Sequence, residues 1–244
     1  MGFEFDTSRT ASGLLGVTEP GLSFDELSKY RVLMQRLPKD ENVRYQYWLQ
    51  PGATWLPVQY SGLWEFGICE RIQGTSYRLV KRIKEAVRLS DPLIPFLQST
   101  MYMNWTLESL CCKWLAQFRE SNLNVSDLAD IMQAHIKLNF KYDHELAEDV
   151  KLKYDYCPNL DEIWESGKGI CFGLTAIFNA ALRSYGIPAK MIHGWWGTDE
   201  SAPYHCWSEV FLDGEWKLYD VTAAITVPAW FPKDMLAYKK RYEY

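Results

Sequence analysis

The sequence predicts an α+β fold: a cysteine-bearing helix packed on an antiparallel sheet, with an N-terminal mixed α/β accessory region. Three observations predict it. After Gly167-Lys168-Gly169-Ile170-Cys171, the apolar residues Leu174, Ile177, Phe178, Ala181, Leu182 and Tyr185 recur at the spacing of one buried helix face, with Cys171 on that face. Beyond Pro188 the pattern alternates instead, so Ala189 to Trp196 and Tyr204 to Leu212 read as strands. Asp213-Gly214 then gives the turn signal of a two-residue hairpin.

Composition narrows the classes. A chain of 244 residues, 48% hydrophobic, can bury a core and build one large domain or a domain with an accessory. A net charge of -5 argues against a nucleic-acid partner, because phosphate binding needs a basic face. Met1-Gly-Phe-Glu-Phe-Asp6 has acids where a secretory leader has bases, and no apolar window reaches a membrane span, so a cytoplasmic protein with no membrane partner is expected. Six cysteines (69, 111, 112, 157, 171, 206) are too sparse for a disulfide scaffold and match no zinc spacing; reduced thiols and no metal are expected.

In chain order, Ser23 with Glu26 forms a capping box and predicts a helix running to about Met34. Val43 to Leu49, Thr54 to Tyr60 and Gly62 to Ile72 read as extended. Thr75 to Leu89 fits both periods and is assigned to a helix with a basic outer face. Helices are expected over Thr106 to Glu120 and from Ser126 to about Asn139, and a polar connection spans His144 to Leu160. The tail Ala237 to Tyr244 is basic and aromatic and is expected at the surface. The chain divides into an accessory region of unknown role, 1–120, and a catalytic domain, 121–244.

Chemistry enters where these patterns meet. Only His135, His144, His193 and His205 can supply an imidazole. With Asp213-Gly214 as the loop, Trp207 falls opposite Asp220 and His205 lies diagonal to it on the same strand face, where Cα atoms are ~7 Å apart. That face also carries Trp207, Glu209, Phe211, Trp216 and Leu218, and it is expected to look toward the Cys171 helix. Cys171 in the first helical turn sits in the helix's partial positive charge, which favours a thiolate. The reading is a nucleophile (Cys171), a base (His205) and an orienting acid (Asp220), with the backbone N–H of Cys171 as an oxyanion donor. Trp164 is a candidate for a second donor, and Trp195, Trp196 and Trp207 are candidates to line an acyl groove, although they equally suit the core of a sheet. Cys206, beside His205, is expected to pack on the opposite face.

At these residues the chain resembles the transglutaminase-like superfamily, a papain-related group of Cys-His-Asp enzymes. The resemblance is carried by Gly167 to Cys171, Ala180 to Ala189, Tyr204 to Trp216 and Tyr219 to Thr222, and extends over roughly 124–223. It implies a papain/transglutaminase-like core with Cys171, His205 and Asp220 as the triad, and a thioester mechanism without a cofactor. Asp220-Val221-Thr222 departs from the family's frequent Asp-Pro-Thr and leaves the carboxylate in place. The expected function is cysteine-dependent acyl chemistry on a peptide or other amide, by hydrolysis first. Transfer to an amine acceptor and a non-catalytic peptide-binding module are the alternatives.

Overall fold

A computed structural model describes residues 2–19, 21–38, 43–74, 76–151, 156–227 and 237–244. The chain forms two compact units, 1–101 and 102–244, so the division falls upstream of residue 120.

The first unit is mostly strand. In order it contains β1 (Glu4–Asp6), β2 (Leu14–Thr18), α1 (Phe24–Leu27), β3 (Tyr30–Leu37), β4 (Tyr45–Trp48), β5 (Ala53–Pro57), β6 (Gly62–Gln73) and β7 (Ser76–Val87). One antiparallel sheet has the order β1-β2-β5 and the other β4-β3-β6-β7. The Ser23/Glu26 capping box is present, but its helix lasts one turn. The expected continuation to Met34 is instead β3, whose Tyr30, Val32 and Met34 alternate into the core and which pairs with β4 and β6 on its two sides. The helix expected over Thr75 to Leu89 is likewise a strand, β7, paired along β6. In both cases pairing with another strand decides, a strand far along the chain for β3 and the adjacent arm of a long hairpin for β7.

The second unit holds α2 (Leu110–Ala116), α3 (Val125–Asn139), β8 (Lys141–Tyr142), α4 (His144–Val150), α5 (Leu160–Ser166), β9 (Lys168–Gly169), α6 (Cys171–Ser184), β10 (Ala189–Trp196), β11 (Tyr204–Leu212), β12 (Glu215–Tyr219), α7 (Val221–Thr226) and β13 (Tyr238–Glu243). The helix expected over Thr106 to Glu120 is thus a shorter one. The expected polar connection contains α4; its residues 152–155 lie outside the described residues. Asn124, not Ser126, caps α3, through a capping box with Asp127. The main sheet is antiparallel, ordered β12-β11-β10-β13.

Helix α6 is the centre of this unit. Every residue from Gly173 to Arg183 is buried, so it is covered all round and not on one face only. Cys112 of α2 reaches its Ala180 carbonyl at 3.6 Å, Phe178 lies against Tyr219 of β12 at 5.5 Å between ring centroids, and Phe172 against His193 of β10 at 4.8 Å. The sheet is pinned to the helix layer by Tyr219 Oη, which donates to Asp130 Oδ1 of α3 at 2.9 Å.

Candidate active site

The chain delivers Cys171 through a clamped turn. Gly167 takes the left-handed conformation that ends α5, and the parallel bridge of β8 with β9 holds the residues beyond it in place. Lys141 N–H donates to the Gly167 carbonyl at 2.9 Å and Asp143 N–H to the Gly169 carbonyl at 3.1 Å. Lys141-Tyr142-Asp143 therefore serves as the anchor of the loop that leads into Cys171. Ile170 is the N-cap of α6 and caps with no side chain, which leaves the first N–H groups of the helix pointing past Cys171.

The hairpin has the expected register. Asp213 and Gly214 both have positive φ (55° and 86°), the turn that lets Leu212 pair with Glu215 and Ser208 with Tyr219. Asp220 comes next as the first residue beyond β12 and is the N-cap of α7, with Oδ1 accepting from Ala223 N–H at 2.8 Å. Its other oxygen, Oδ2, lies 2.8 Å from His205 Nε2. Both side chains are about 7% exposed or less. Cys171 is near enough for its thiol to raise the proton affinity of this imidazole, whose Nε2 is taken by Asp220.

Burial pulls the proton affinity of His205 down, but the hydrogen bonds to Asp220 and Cys171 and their charges outweigh it, and its pKa is raised to about 9. The arrangement therefore favours an imidazolium at neutral pH, held between a carboxylate and a sulfur. His193, the other strand histidine, has the reverse fate: burial and then the charge of His205 lower its pKa to about 3 and keep it neutral. His135 sits between two tryptophan rings, 3.9 Å from Trp114 and 5.1 Å from Trp164, on α3.

One expectation about orientation is corrected. The strand face that meets α6 is that of Cys206, Ser208, Val210 and Tyr219, not that of His205: Thr175 of α6 donates to the Cys206 carbonyl at 3.3 Å, and Phe178 packs on Tyr219. The His205 face is instead covered from the sheet's own far edge. Trp196 stacks on His205 with centroids 5.4 Å apart, and Trp207, fully buried, lies 6.2 Å from His205 and 4.9 Å from Tyr238. Gly194 makes room for this, since a Cβ there would stand 2.8 Å from the Trp207 ring and 2.1 Å from the Lys239 carbonyl. Cys171 thus meets His205 at the start of β11, where β12 has not yet begun to pair and the strand edge is open toward Asp220.

The tail expected at the surface is the edge strand β13, and it adds a residue the sequence reading missed. Tyr238 Oη donates to Asp220 Oδ2 at 2.8 Å, so that oxygen serves both His205 and Tyr238. Nothing local marks Tyr238; the pairing of Trp196 with Tyr238 across β10 and β13 is what brings it there. Of the groove candidates, Trp196 is half-buried beside His205, Trp207 is a buried support beneath it, and the ring of Trp164 belongs to a cluster with Trp114, His135 and Phe140. Among the described residues no three His, Cys, Asp or Glu side chains gather as metal ligands, and no helix is long and apolar enough to cross a membrane.

No curated protein matches the chain. Among solved structures it is similar to a candidate cysteine protease from Cytophaga hutchinsonii (15% identity, 89% of this chain and 77% of that one, TM-score 0.49). It is also similar to the periplasmic domain of TgpA from Pseudomonas aeruginosa (14% identity, 92% and 94%, TM-score 0.43) and to red sea bream transglutaminase (12% identity, 88% and 49%, TM-score 0.35). Residues 113–221, which include α6, the hairpin and Asp220, match the sequence model of the transglutaminase-like superfamily.

Proposed function

We propose that this domain processes amides through a cysteine thioester, with Cys171 as nucleophile, His205 as acid and base, and Asp220 as the group that orients the imidazole. The reading rests on one observation: an imidazole held by a carboxylate on Nε2, its proton affinity raised by that carboxylate and by a thiol at the start of a fourteen-residue helix. The family match supports cysteine-based chemistry in general.

In this reading the proton rests on His205 and the Cys171 thiolate attacks the carbonyl carbon of a peptide or related amide. A C–S bond forms and the carbonyl π pair moves onto oxygen, where the Cys171 N–H and the positive end of α6 receive the charge. Collapse expels the amine, which takes its proton from His205, and leaves an acyl thioester. Neutral His205 then takes a proton from water as water attacks, and the thiolate departs on the second collapse. Asp220 holds the ring in one orientation throughout, and Tyr238 and Ala223 N–H hold Asp220.

Hydrolysis is the favoured outcome because water needs no dedicated acceptor channel. The test is a peptide and amide library read by intact mass for an acyl adduct on Cys171, then turnover of the hits with a fluorescent primary amine added. An adduct that Cys171→Ala removes, with hydrolysed product predominating over amine conjugate, is the expected result. Conjugate in excess of hydrolysed product makes the protein a transferase, and full turnover by Cys171→Ala ends the cysteine reading.

A further inference from the structure

An aromatic row leads away from the nucleophile on the α6 side of the sheet. Phe172, the residue after Cys171, lies 4.8 Å from His193; His193 lies 6.2 Å from Tyr204, the residue before His205; and Tyr204 lies 5.7 Å from Trp195. The row ends in cations. Lys239 Nζ stands 5.2 Å over the Trp195 ring and the Arg241 guanidinium 5.4 Å over it. Tyr204, at the middle of the row and the first residue of β11, is 53% exposed, whereas the strand residues that follow it from His205 to Val210 are buried.

The two cations are not equivalent. Lys239 is paired with Glu200 at 3.1 Å. Arg241 is exposed, touches the rings of Trp195 and Tyr242, and has no carboxylate partner among the described residues. A guanidinium lying on an aromatic ring is held in a defined place while its N–H edges stay available for a planar anion. His193 adds no charge of its own, since burial keeps it neutral.

We infer that the acyl part of the substrate carries a carboxylate about two or three residues from the reacting carbonyl, laid along the Tyr204–Trp195 row and held by Arg241, each extended residue spanning ~3.3 Å. This rests on the cysteine reading above. The acyl part stays bonded to Cys171 through both half-reactions, so it is the part that a wall continuous with Phe172 and Tyr204 can grip. A free amine leaves, and a wall beside the nucleophile would do nothing for it after the first step.

The experiment uses peptide chloromethyl ketones that differ only in Asp, Asn or Lys at the second and third residues from the warhead; the thiolate displaces chloride and forms a stable thioether. Inactivation rates are measured for the whole chain, and the alkylated residue is located by mass. The Asp probe is expected to react about 3- to 5-fold faster than the Asn probe and the Lys probe more slowly, in keeping with a partly exposed ion pair. Arg241→Gln should level the Asp and Asn rates and Arg241→Glu should invert the order, with folding checked by circular dichroism. Equal rates for all probes on Cys171, or an Asp preference that survives Arg241→Glu, overturns the inference and leaves the cysteine reading standing. Failure of every probe to alkylate Cys171 removes both.

Discussion

At the N-terminus of α6, Cys171 is half-buried, capped by no side chain and near enough to raise the proton affinity of an imidazole that Asp220 holds. Against the middle of the same helix, Cys112 lies 3.6 Å from the Ala180 carbonyl and 3.9 Å from the sulfur of Cys111, with both thiols closed off from water. There the hydrogen bond that Cys111 donates to Cys112, and then burial, push the Cys111 thiol up; elsewhere in the unit burial alone raises Cys157 to about 11. The two sites share a helix and a functional group. They differ in whether a thiolate would meet helix N–H groups and an imidazolium or would meet a carbonyl, a second sulfur and apolar walls. What separates the two sites is their place against α6, its N-terminus for Cys171 and its flank for Cys112.

That contrast can be broken most severely by exchange at the sulfur itself. Cys171→Ala is expected to lower turnover of a library hit by at least ~10⁴-fold, whereas Cys112→Ala should leave turnover intact and cost about 1 kcal/mol of stability, measured by urea unfolding. Iodoacetamide should label Cys171 well before Cys111 or Cys157 at mildly acidic pH, and equal labelling would remove the distinction between the sites.

Next in size is Asp220→Asn, which keeps an acceptor for the Ala223 N–H of α7 while losing the charge beside His205. A fall of about 10³-fold in turnover with a nearly unchanged melting temperature is expected; a melting temperature that collapses with activity would mean Asp220 works mainly as a cap.

A smaller effect comes from the raised pKa of His205. The imidazole gains its proton more readily folded than unfolded, so its contribution to stability is complete below its ordinary value near 6.5 and is lost as pH rises through about 9. Wild type is expected to exceed His205→Gln by about 2 kcal/mol at pH 6, with the gap closing by pH 10 in paired unfolding curves. Turnover should show an alkaline limb over the same range, because the leaving amine needs the proton of His205.

Tyr238→Phe should be the mildest. Losing the donor to Asp220 Oδ2 leaves more of that oxygen's charge for the imidazolium, so the His205 titration tracked by NMR should move up and turnover fall about fivefold. An unmoved titration would reduce Tyr238 to packing against Trp207.

Much of the site was legible because its signals are short-range. Cys171 at a helix start is read within one turn, and Asp213-Gly214 sets the strand register two residues at a time, so His205 and Asp220 come together without any knowledge of the rest of the fold. The same reasoning misassigned Tyr30 to Leu37 and Ser76 to Val87, where helix and strand periods both fit the residues and the backbone's partner is a strand far along the chain or a long hairpin arm. It also read α6 as one-sided, since a helix buried on every side still shows the stripe that a half-buried one has.

The amino-acid order by itself determined the mount of Cys171, the hairpin and the pairing of imidazole with carboxylate, because turn geometry and helix caps depend on neighbours in the chain. Which face of the sheet meets α6, that Trp207 supports and Trp196 flanks His205, and that Tyr238 closes on Asp220 were decided only by tertiary structure. Those placements depend on how β13 and α6 stack on β10 and β11, and contacts between segments so far apart leave no local periodicity to read.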